Sequence, residues 1–352
     1  MSRKLLSYTA LGLILGNAAI ADVPKVAVDI SPVHSLVSRV MEGVGSPKLI
    51  IPAGASPHEY SLRPSEAKSL QDADMVIWMG EDLAPWMENS IEKLAKNAEI
   101  ITLLEISETK LLDYREGALF EEHDHGDHDD HDKDHDDHDD HDDHDDHDHD
   151  KDHDDHDDHD DHDHDKDHDD HDDHDDHAGH DHGEHDPHAW LSLENAQTWL
   201  NLVAGKLSAA DPENAGVYFG NAAAARSEIE ELSKEVNSIL DPVRGRSFVV
   251  FHDAYQYFET SFDFPASGAI SLGDATDPSA SRIAEIQGRV REEGINCVLS
   301  EPQYNPNLVA TVLEGTDAKT GVIDPLGVNL EPGPKLYGDL IRNMAKSLAG
   351  CL

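Results

Sequence analysis

The sequence predicts an α/β fold with two lobes, each built on a mainly parallel sheet flanked by helices, and one long helix that joins the lobes. Short apolar runs alternate with helical patterns from Lys25 to Ile101, and the same alternation returns after Gly245. Such a rhythm is typical of parallel sheets. One long helical pattern lies between the two series, so we expect two halves with a connecting helix.

The first series is expected to form an N-terminal lobe over residues 22–210. Its strands are predicted at Val26–Ile30, Leu49–Ile51, Met75–Met79 and Ile100–Ile101. Its helices are predicted to begin at Pro32, Pro64, Ala84 and Ser192. Proline is common in the first turn of a helix, because its missing N–H would have no partner there.

The linking helix is predicted over residues 211–242. Asp211 and Pro212 provide a cap residue followed by proline, and the run that follows is rich in Ala, Glu and Leu. A helix of this length spans roughly 40–45 Å, longer than packing within one small domain requires. The alternative is two shorter helices with a break near Gly216 or Gly220.

The second series is expected to form a C-terminal lobe over residues 243–352. Its strands are predicted at Ser247–Phe251, Cys297–Ser300 and Gly321–Ile323. Its helices are predicted near Tyr255, over Pro278–Glu293, and from Pro306 and Pro334. A single domain is the less favoured alternative for the mature chain, whose roughly 330 residues suffice for two domains of ordinary size.

Residues 1–21 have the features of a signal peptide. Arg3 and Lys4 precede an apolar run that ends in small residues before Asp22. The run also contains polar residues and glycines, so it falls short of the roughly 20 strongly apolar residues that a membrane anchor needs. We therefore expect a periplasmic protein whose mature chain begins at Asp22.

The chain has two cysteines, Cys297 and Cys351. In an oxidising compartment pairing is the default, so we predict one disulfide that ties a late strand to the last helix. Two unpaired buried thiols are the alternative.

Residues 121–187 form a low-complexity tract in which Asp-Asp-His repeats with a period of three. Residues 121–188 hold 37 acidic residues and three lysines, a net charge of −34 out of −49 for the whole chain. Like charges repel and apolar residues are almost absent, so we expect the metal-free tract to be disordered. No basic pattern is present that would grip nucleic acid.

The tract is also expected to bind divalent metal loosely and at several places. It carries 22 histidines between His123 and His185, each beside carboxylates. The members that we name as auxiliary ligands are His123, His125, His128, His177, His180, His182 and His185. A solubilising acidic linker is the weaker alternative, because aspartate alone would serve that purpose.

A site with fixed ligands is predicted from residues outside the repeats. His58 lies beyond the strand ending at Ile51, His252 directly follows the strand ending at Phe251, and Asp324 follows the strand ending at Ile323. Ligands in open parallel sheets gather at the carboxyl ends of strands. These side chains are therefore expected to face one crevice.

His188 closes the tract, yet we group it with the fixed ligands. Apolar sequence resumes at Ala189–Leu191, immediately before a predicted helix. Three imidazoles plus one carboxylate or water make a tetrahedral zinc shell.

Five segments of the chain carry a resemblance to a known family: Gly54–Ser65, Asp186–Ser192, Phe251–Phe258, Cys297–Gln303 and Ile323–Gly327. These segments closely resemble the ZnuA-type zinc-binding proteins of ABC importers. The resemblance covers nearly the whole mature chain, including a His/Asp-rich loop and two C-terminal cysteines. It implies two α/β lobes joined by a single long helix, and a partnership with a cognate ABC permease in the membrane.

The resemblance also implies a ligand set. The zinc histidines of the family match His58, His188 and His252, and an aspartate in an Asp-Pro-Leu context matches Asp324. Some zinc members carry an acidic residue before the first histidine, where this chain has Pro57. The fourth ligand is therefore open among Asp324, water and Glu59.

Several other residues have a structural interpretation as the first choice. His34 is expected to form a capping or other hydrogen bond, and Glu301 is expected to pair with a backbone amide. Trp78, Trp190 and Tyr60 are expected to pack in the core or the cleft, and secondarily to keep water from the metal.

The leading functional hypothesis is high-affinity capture of Zn²⁺ and its delivery to a membrane permease by a monomeric binding protein, not an enzyme. A manganese receptor is the alternative within the same class, because more carboxylate ligands would favour manganese. A zinc hydrolase would use an open metal position to activate water, but no His-Glu-x-x-His pattern is present. A storage protein would use only the tract.

Overall fold

The computed structural model describes residues 23–115, 185–271, 279–304 and 306–352. The predicted signal peptide and nearly all of the tract lie outside these residues. So do the tract histidines His123, His125, His128, His177, His180 and His182. Within the described part of the chain, no helix is long and apolar enough to cross a membrane.

The first half of the chain forms a four-stranded parallel sheet covered by helices. Its strands are β1 (Val26–Val28), β2 (Lys48–Leu49), β3 (Met75–Trp78) and β4 (Glu99–Thr102), in the order β2-β1-β3-β4. The helices of this half are α1 (Ser31–Val40), α2 (Pro64–Gln71), α3 (Pro85–Leu94) and α4 (Leu193–Ala210). β1 and β3 are buried throughout, as expected for central strands with helices on both faces.

The long predicted helix is continuous. After a 3-10 turn at Pro212–Asn214, α5 runs from Ala215 to Leu240 without a break at either glycine of its first turns. Its buried side chains recur every three or four residues and form one apolar stripe. They are Tyr218, Ala222, Ala225, Ile229, Leu232, Val236 and Leu240.

A second four-stranded parallel sheet follows α5. Its strands are β5 (Phe248–His252), β6 (Gly268–Ser271), β7 (Cys297–Ser300) and β8 (Lys319–Val322), in the order β6-β5-β7-β8. Its helices are α6 (Gln256–Phe262), α7 (Ala280–Glu292), α8 (Pro306–Leu313) and α9 (Leu336–Cys351). The fold class is therefore confirmed. The sequence prediction lacked β6, whose apolar signal is only the pair Ala269 and Ile270.

The long helix packs against helices from both halves. α5 contacts α1 and α4 of the first half and α9 of the second, and one apolar core cluster includes buried residues from all four helices. The described residues accordingly belong to one compact unit. The lobe limits at residues 210 and 243 stay predictions.

The predicted disulfide is present between Cys297 and Cys351. It joins the first residue of β7 to the last residue of α9, and both residues are buried. A Cβ on Gly321 in β8 would come within 3.1 Å of the Cys351 Cβ, so the strand lies directly against the bridge.

Replacing both cysteines by alanine is expected to destabilise the protein by about 4 kcal/mol. The sequence separation of 54 residues closes a long loop, and the entropy that such a crosslink removes from the unfolded chain grows with loop length. Denaturant unfolding of the double variant would measure the loss. Reduced wild-type protein is the matched control and should show the same shift; unchanged midpoints in both samples would contradict the prediction.

Candidate metal centre

Three histidines that are distant in sequence meet in one place. One ligand atom from each of His58, His188 and His252 lies within 4.8 Å of the other two. Among the described residues, these three form the cluster of side chains that could hold a metal ion. The ring centroid of His188 lies 5.6 Å from that of His58 and 5.2 Å from that of His252. The Nε2 atoms of His188 and His252 are 3.4 Å apart. Three imidazoles at this spacing offer most of a tetrahedral zinc shell.

Local structure places each ring at the same edge of the fold. His252 is the last residue of the buried strand β5, and His188 directly precedes a 3-10 turn that leads into α4. His58 lies in the loop after β2, where the Trp86 indole N–H donates to the Pro57 carbonyl at 2.8 Å. His188 and His252 are buried, whereas His58 is partly exposed.

The buried carboxylate of Asp186 orients the ring of His188. Asp186 Oδ1 lies 2.7 Å from His188 Nδ1 and also accepts the backbone N–H of His188 at 2.9 Å. A carboxylate accepts hydrogen bonds, so it assigns the proton to Nδ1 and leaves Nε2 as the ligand atom.

Glu301 does the same for His252. Glu301 Oε1 lies 2.6 Å from His252 Nδ1, and both side chains are almost completely buried. The predicted pairing of Glu301 with a backbone amide is therefore wrong. The carboxylate meets an imidazole because β5 and β7 are neighbours in the sheet and both end at this edge.

Aromatic side chains pack against His188 and His252. The ring centroid of Trp190 lies 5.2 Å from that of His188, and the ring centroid of Tyr304 lies 5.3 Å from that of His252. Burial, followed by the charge of Glu301, raises the pKa of Tyr255 well above its usual value.

The space between the histidines is small. The cavity that they line measures about 20 Å³, and Trp190, Glu301 and Gln303 also line it. A volume of this size holds one water molecule or one ion.

Asp324 stands outside this group. One carboxylate oxygen accepts the backbone N–H groups of Leu326 and Gly327, at 3.0 and 2.9 Å, and the other accepts that of Val328 at 2.7 Å. The residue lines a different cavity, beside α9. Ligation by Asp324 stays a prediction to which the geometry adds no support.

The remaining sequence candidates have structural contacts. His34 Nε2 lies 3.3 Å from the Pro47 carbonyl, and burial lowers its pKa. The Tyr60 hydroxyl donates to Glu66, and the Trp78 indole donates to Thr102 Oγ1 at 3.1 Å.

The two chain segments that flank residues 116–184 are joined by hydrogen bonds. Asp113 and His185 form an isolated antiparallel bridge, and their side chains hydrogen-bond at 2.9 Å. The Tyr257 hydroxyl of α6 accepts the Leu112 N–H and donates to the Asp186 carbonyl, both at 2.9 Å. The described chain on either side of residues 116–184 is therefore held together near His188.

Arg115, two residues after Asp113, forms an ion pair with Asp253, the residue that follows His252. Its guanidinium forms ion pairs with Asp253 and Glu259, and both carboxylates are almost fully buried. Burial raises the pKa of Asp253 to about 6, although the hydrogen bond and charge of Arg115 act in the opposite direction. No sequence signal marked Arg115, because its partners lie more than 130 residues away.

Comparisons with known proteins agree with this geometry. A family model described as "ZnuA: Zinc-uptake complex component A periplasmic" matches residues 26–351. The chain is 45% identical over 350 residues to the high-affinity zinc uptake system protein ZnuA of Paracoccus denitrificans (strain Pd 1222), with 98% of each chain covered.

Solved structures show the same fold. A crystal structure of ZnuA matches with a TM-score of 0.67 at 18% identity, and covers 94% of this chain and 99% of its own. The SBP FpvC from Pseudomonas aeruginosa in complex with Mn²⁺ matches with a TM-score of 0.67 at 16% identity, and covers 94% and 98%. At these identities the likeness extends to the fold alone.

Replacing Glu301 by Gln is expected to weaken divalent metal binding by roughly 10- to 100-fold, the usual effect of removing a partner that orients a ligand. The amide keeps the size of the side chain but lacks the charge that favours the Nδ1–H tautomer. Competition with a chelator would measure the change. Glu331→Gln, on an exposed residue, is the matched control, and equal affinities for the two variants would contradict the prediction.

Replacing Arg115 by Met is expected to destabilise the protein by about 3–5 kcal/mol, because two buried carboxylates lose their cation. The folded-state pKa of Asp253 is already raised above its unfolded value of 3.8 to about 6. Its stabilising contribution is therefore complete below pH 4 and is lost as pH rises through 6. Without Arg115 this pKa rises further, so the stability gap between variant and wild type should widen from pH 4 to pH 7. Thermal unfolding across this range would measure it, and a constant gap would refute the explanation.

Proposed function

We propose, on the premise that this chain belongs to the ZnuA family of periplasmic zinc-uptake components, that His58, His188 and His252 bind Zn²⁺ for delivery to an ABC permease. The protein is the high-affinity binding component of a zinc importer, and it is not an enzyme. Zinc is its cargo rather than a resident cofactor.

The observation that carries the proposal is the convergence of three imidazoles in a cavity with room for one ion. Nitrogen donors suit zinc, whereas manganese prefers carboxylate and other oxygen ligands. The group of potential ligand atoms in the described residues consists of imidazoles and contains no carboxylate oxygen. The donor set therefore supports zinc over manganese, even though a manganese-bound protein shares the fold.

The size of the cavity also supports a carrier. The space of about 20 Å³ between the histidines matches a single ion, which is what a carrier has to hold. The buried carboxylates of Asp186 and Glu301 lie behind two of the rings and attract a cation to this place.

Delivery requires that the ion leave again, and we propose that the cognate permease is the partner that receives it. His58 comes from the loop after β2, whereas His252 ends β5 in the second sheet. A small separation of the two halves would therefore remove a ligand from the shell. We expect the carrier to act as a monomer.

The His/Asp-rich tract is proposed as an auxiliary binder that raises the local zinc concentration. Asp113 and His185, which flank residues 116–184, form a bridge three residues before His188. Loose ligands on a flexible chain bind weakly, because each ion has to order the chain. A storage protein, in contrast, would depend on the tract alone.

Deletion of residues 122–181 is expected to leave one tight zinc site per chain. His58→Ala in the deleted background should then lower zinc affinity by more than roughly 100-fold, because a ligand is lost rather than an outer partner. Competition titration with a zinc chelator measures both changes. His34→Gln removes a histidine outside the site and serves as the control. Loss of all tight binding on deletion would support storage and refute the carrier.

A further inference from the structure

We propose that Gln256 is a positioning residue for zinc binding, which acts through the carboxylate of Asp186 on the imidazole of His188. It supplies no ligand atom, and it lies one step beyond the carboxylate that orients the ring. The inference rests on the proposed function, because it identifies a residue that keeps one ligand of that site in place.

The carboxylate of Asp186 needs a donor for its second oxygen. Its Oδ1 makes both contacts with His188, at 2.7 Å from ring Nδ1 and 2.9 Å from the backbone N–H. Only 2% of the Asp186 side chain is exposed. A buried carboxylate oxygen without a hydrogen bond is costly, so Oδ2 is expected to meet a donor from the protein.

The side-chain amide of Gln256 is that donor. Its nitrogen lies 3.2 Å from Asp186 Oδ2 and 3.2 Å from the backbone carbonyl oxygen of Asp113. Both neighbours are acceptors, and only the –NH₂ end of an amide can donate. The reverse orientation of the amide would place its oxygen against two other oxygens. The two N–H groups of Gln256 therefore match two acceptors.

Local structure brings Gln256 to this place. It is the first residue of α6, four residues after His252 at the end of β5. The hydroxyl of the next residue, Tyr257, accepts the Leu112 N–H and donates to the Asp186 carbonyl. This end of α6 is thus held against the two chain segments that Gln256 joins. One short segment carries a ligand of the metal and supports the carboxylate behind another.

A hydrogen bond to Oδ2 limits the rotation of the Asp186 carboxylate. Rotation about the bond between Cβ and the carboxyl carbon would move both oxygens together. With Oδ2 held by Gln256, Oδ1 stays aligned with His188 Nδ1, and the ring keeps Nε2 directed at the metal position. A ligand that is free to turn loses the geometry that metal binding requires. We therefore expect the amide to contribute to zinc affinity.

The test uses the full-length protein with half an equivalent of zinc, so that the tight site fills before the tract, in competition with a chelator. Gln256→Met keeps the length of the side chain but has no donor. Its zinc affinity should fall by roughly 3- to 10-fold, because the amide acts only through the carboxylate that it holds. Gln71→Met, on an exposed residue at the end of α2, is the matched control and should keep the wild-type affinity.

A double-mutant cycle identifies the route of the effect. Asp186→Ala alone should lower zinc affinity by roughly 10- to 100-fold. Adding Gln256→Met to Asp186→Ala should cause no further loss, because the amide no longer has a carboxylate to hold. Additive losses would show that Gln256 acts elsewhere, and would overturn the inference.

Tyr257→Phe keeps the test usable if Asp186→Ala does not fold. It removes the hydrogen bonds of the same helix end to backbone groups, but it leaves the donors of both Asp186 carboxylate oxygens in place. It should lower the midpoint of thermal unfolding more than Gln256→Met does, and lower zinc affinity less. An equal or larger loss of affinity in Tyr257→Phe would point to general loosening of the helix end and overturn the inference.

His58→Ala separates failure of this inference from failure of the proposed function. If His58→Ala abolishes tight zinc binding while Gln256→Met keeps the wild-type affinity, only the role of Gln256 is wrong. If His58→Ala also keeps the wild-type affinity, the proposed zinc site is wrong and the inference fails with it.

Discussion

The hydrogen bonds that imidazole Nδ1–H groups donate to buried carboxylates are the interaction on which this site depends. Asp186 and Glu301 fix the tautomer and the orientation of His188 and His252, so that both Nε2 atoms face one point. They also place two negative charges behind neutral ligands. A divalent ion that gives up part of its water shell on binding needs such compensation, because removing that water is costly. The site is therefore built from two carboxylate–imidazole pairs and a third ring, His58.

The geometry of the frame makes those pairs possible. Parallel strands deliver their carboxyl ends to the same edge, which is how β5 brings His252 and β7 brings Glu301 to within hydrogen-bond distance. α5 packs on helices of both halves through one apolar stripe, and the disulfide fixes α9 to β7. The core thus holds ligands from different parts of the chain at a spacing of a few ångströms.

The fold was largely predictable from the sequence, because alternating apolar runs and proline-marked helix starts are local signals. β6 was missed since its signal is only two apolar residues long. His58, His188 and His252 were found from their positions beside strands and turns, and their resemblance to a family sharpened the choice. Glu301 was misassigned, because its partner lies 49 residues away and only strand pairing brings the two together. Arg115 gave no signal, since its ion pairs are with carboxylates that are distant in the sequence.

Asp113 and His185 form a bridge between the two chain segments that flank residues 116–184. The cost of closing a flexible loop between two fixed points grows slowly, by about 0.6 kcal/mol for each doubling of its length. Repeats can therefore be added or removed between Asp113 and His185 with little change in the free energy of unfolding. The same junction is a natural graft point, where an unrelated sequence such as a fluorescent reporter could be inserted to turn the carrier into a sensor.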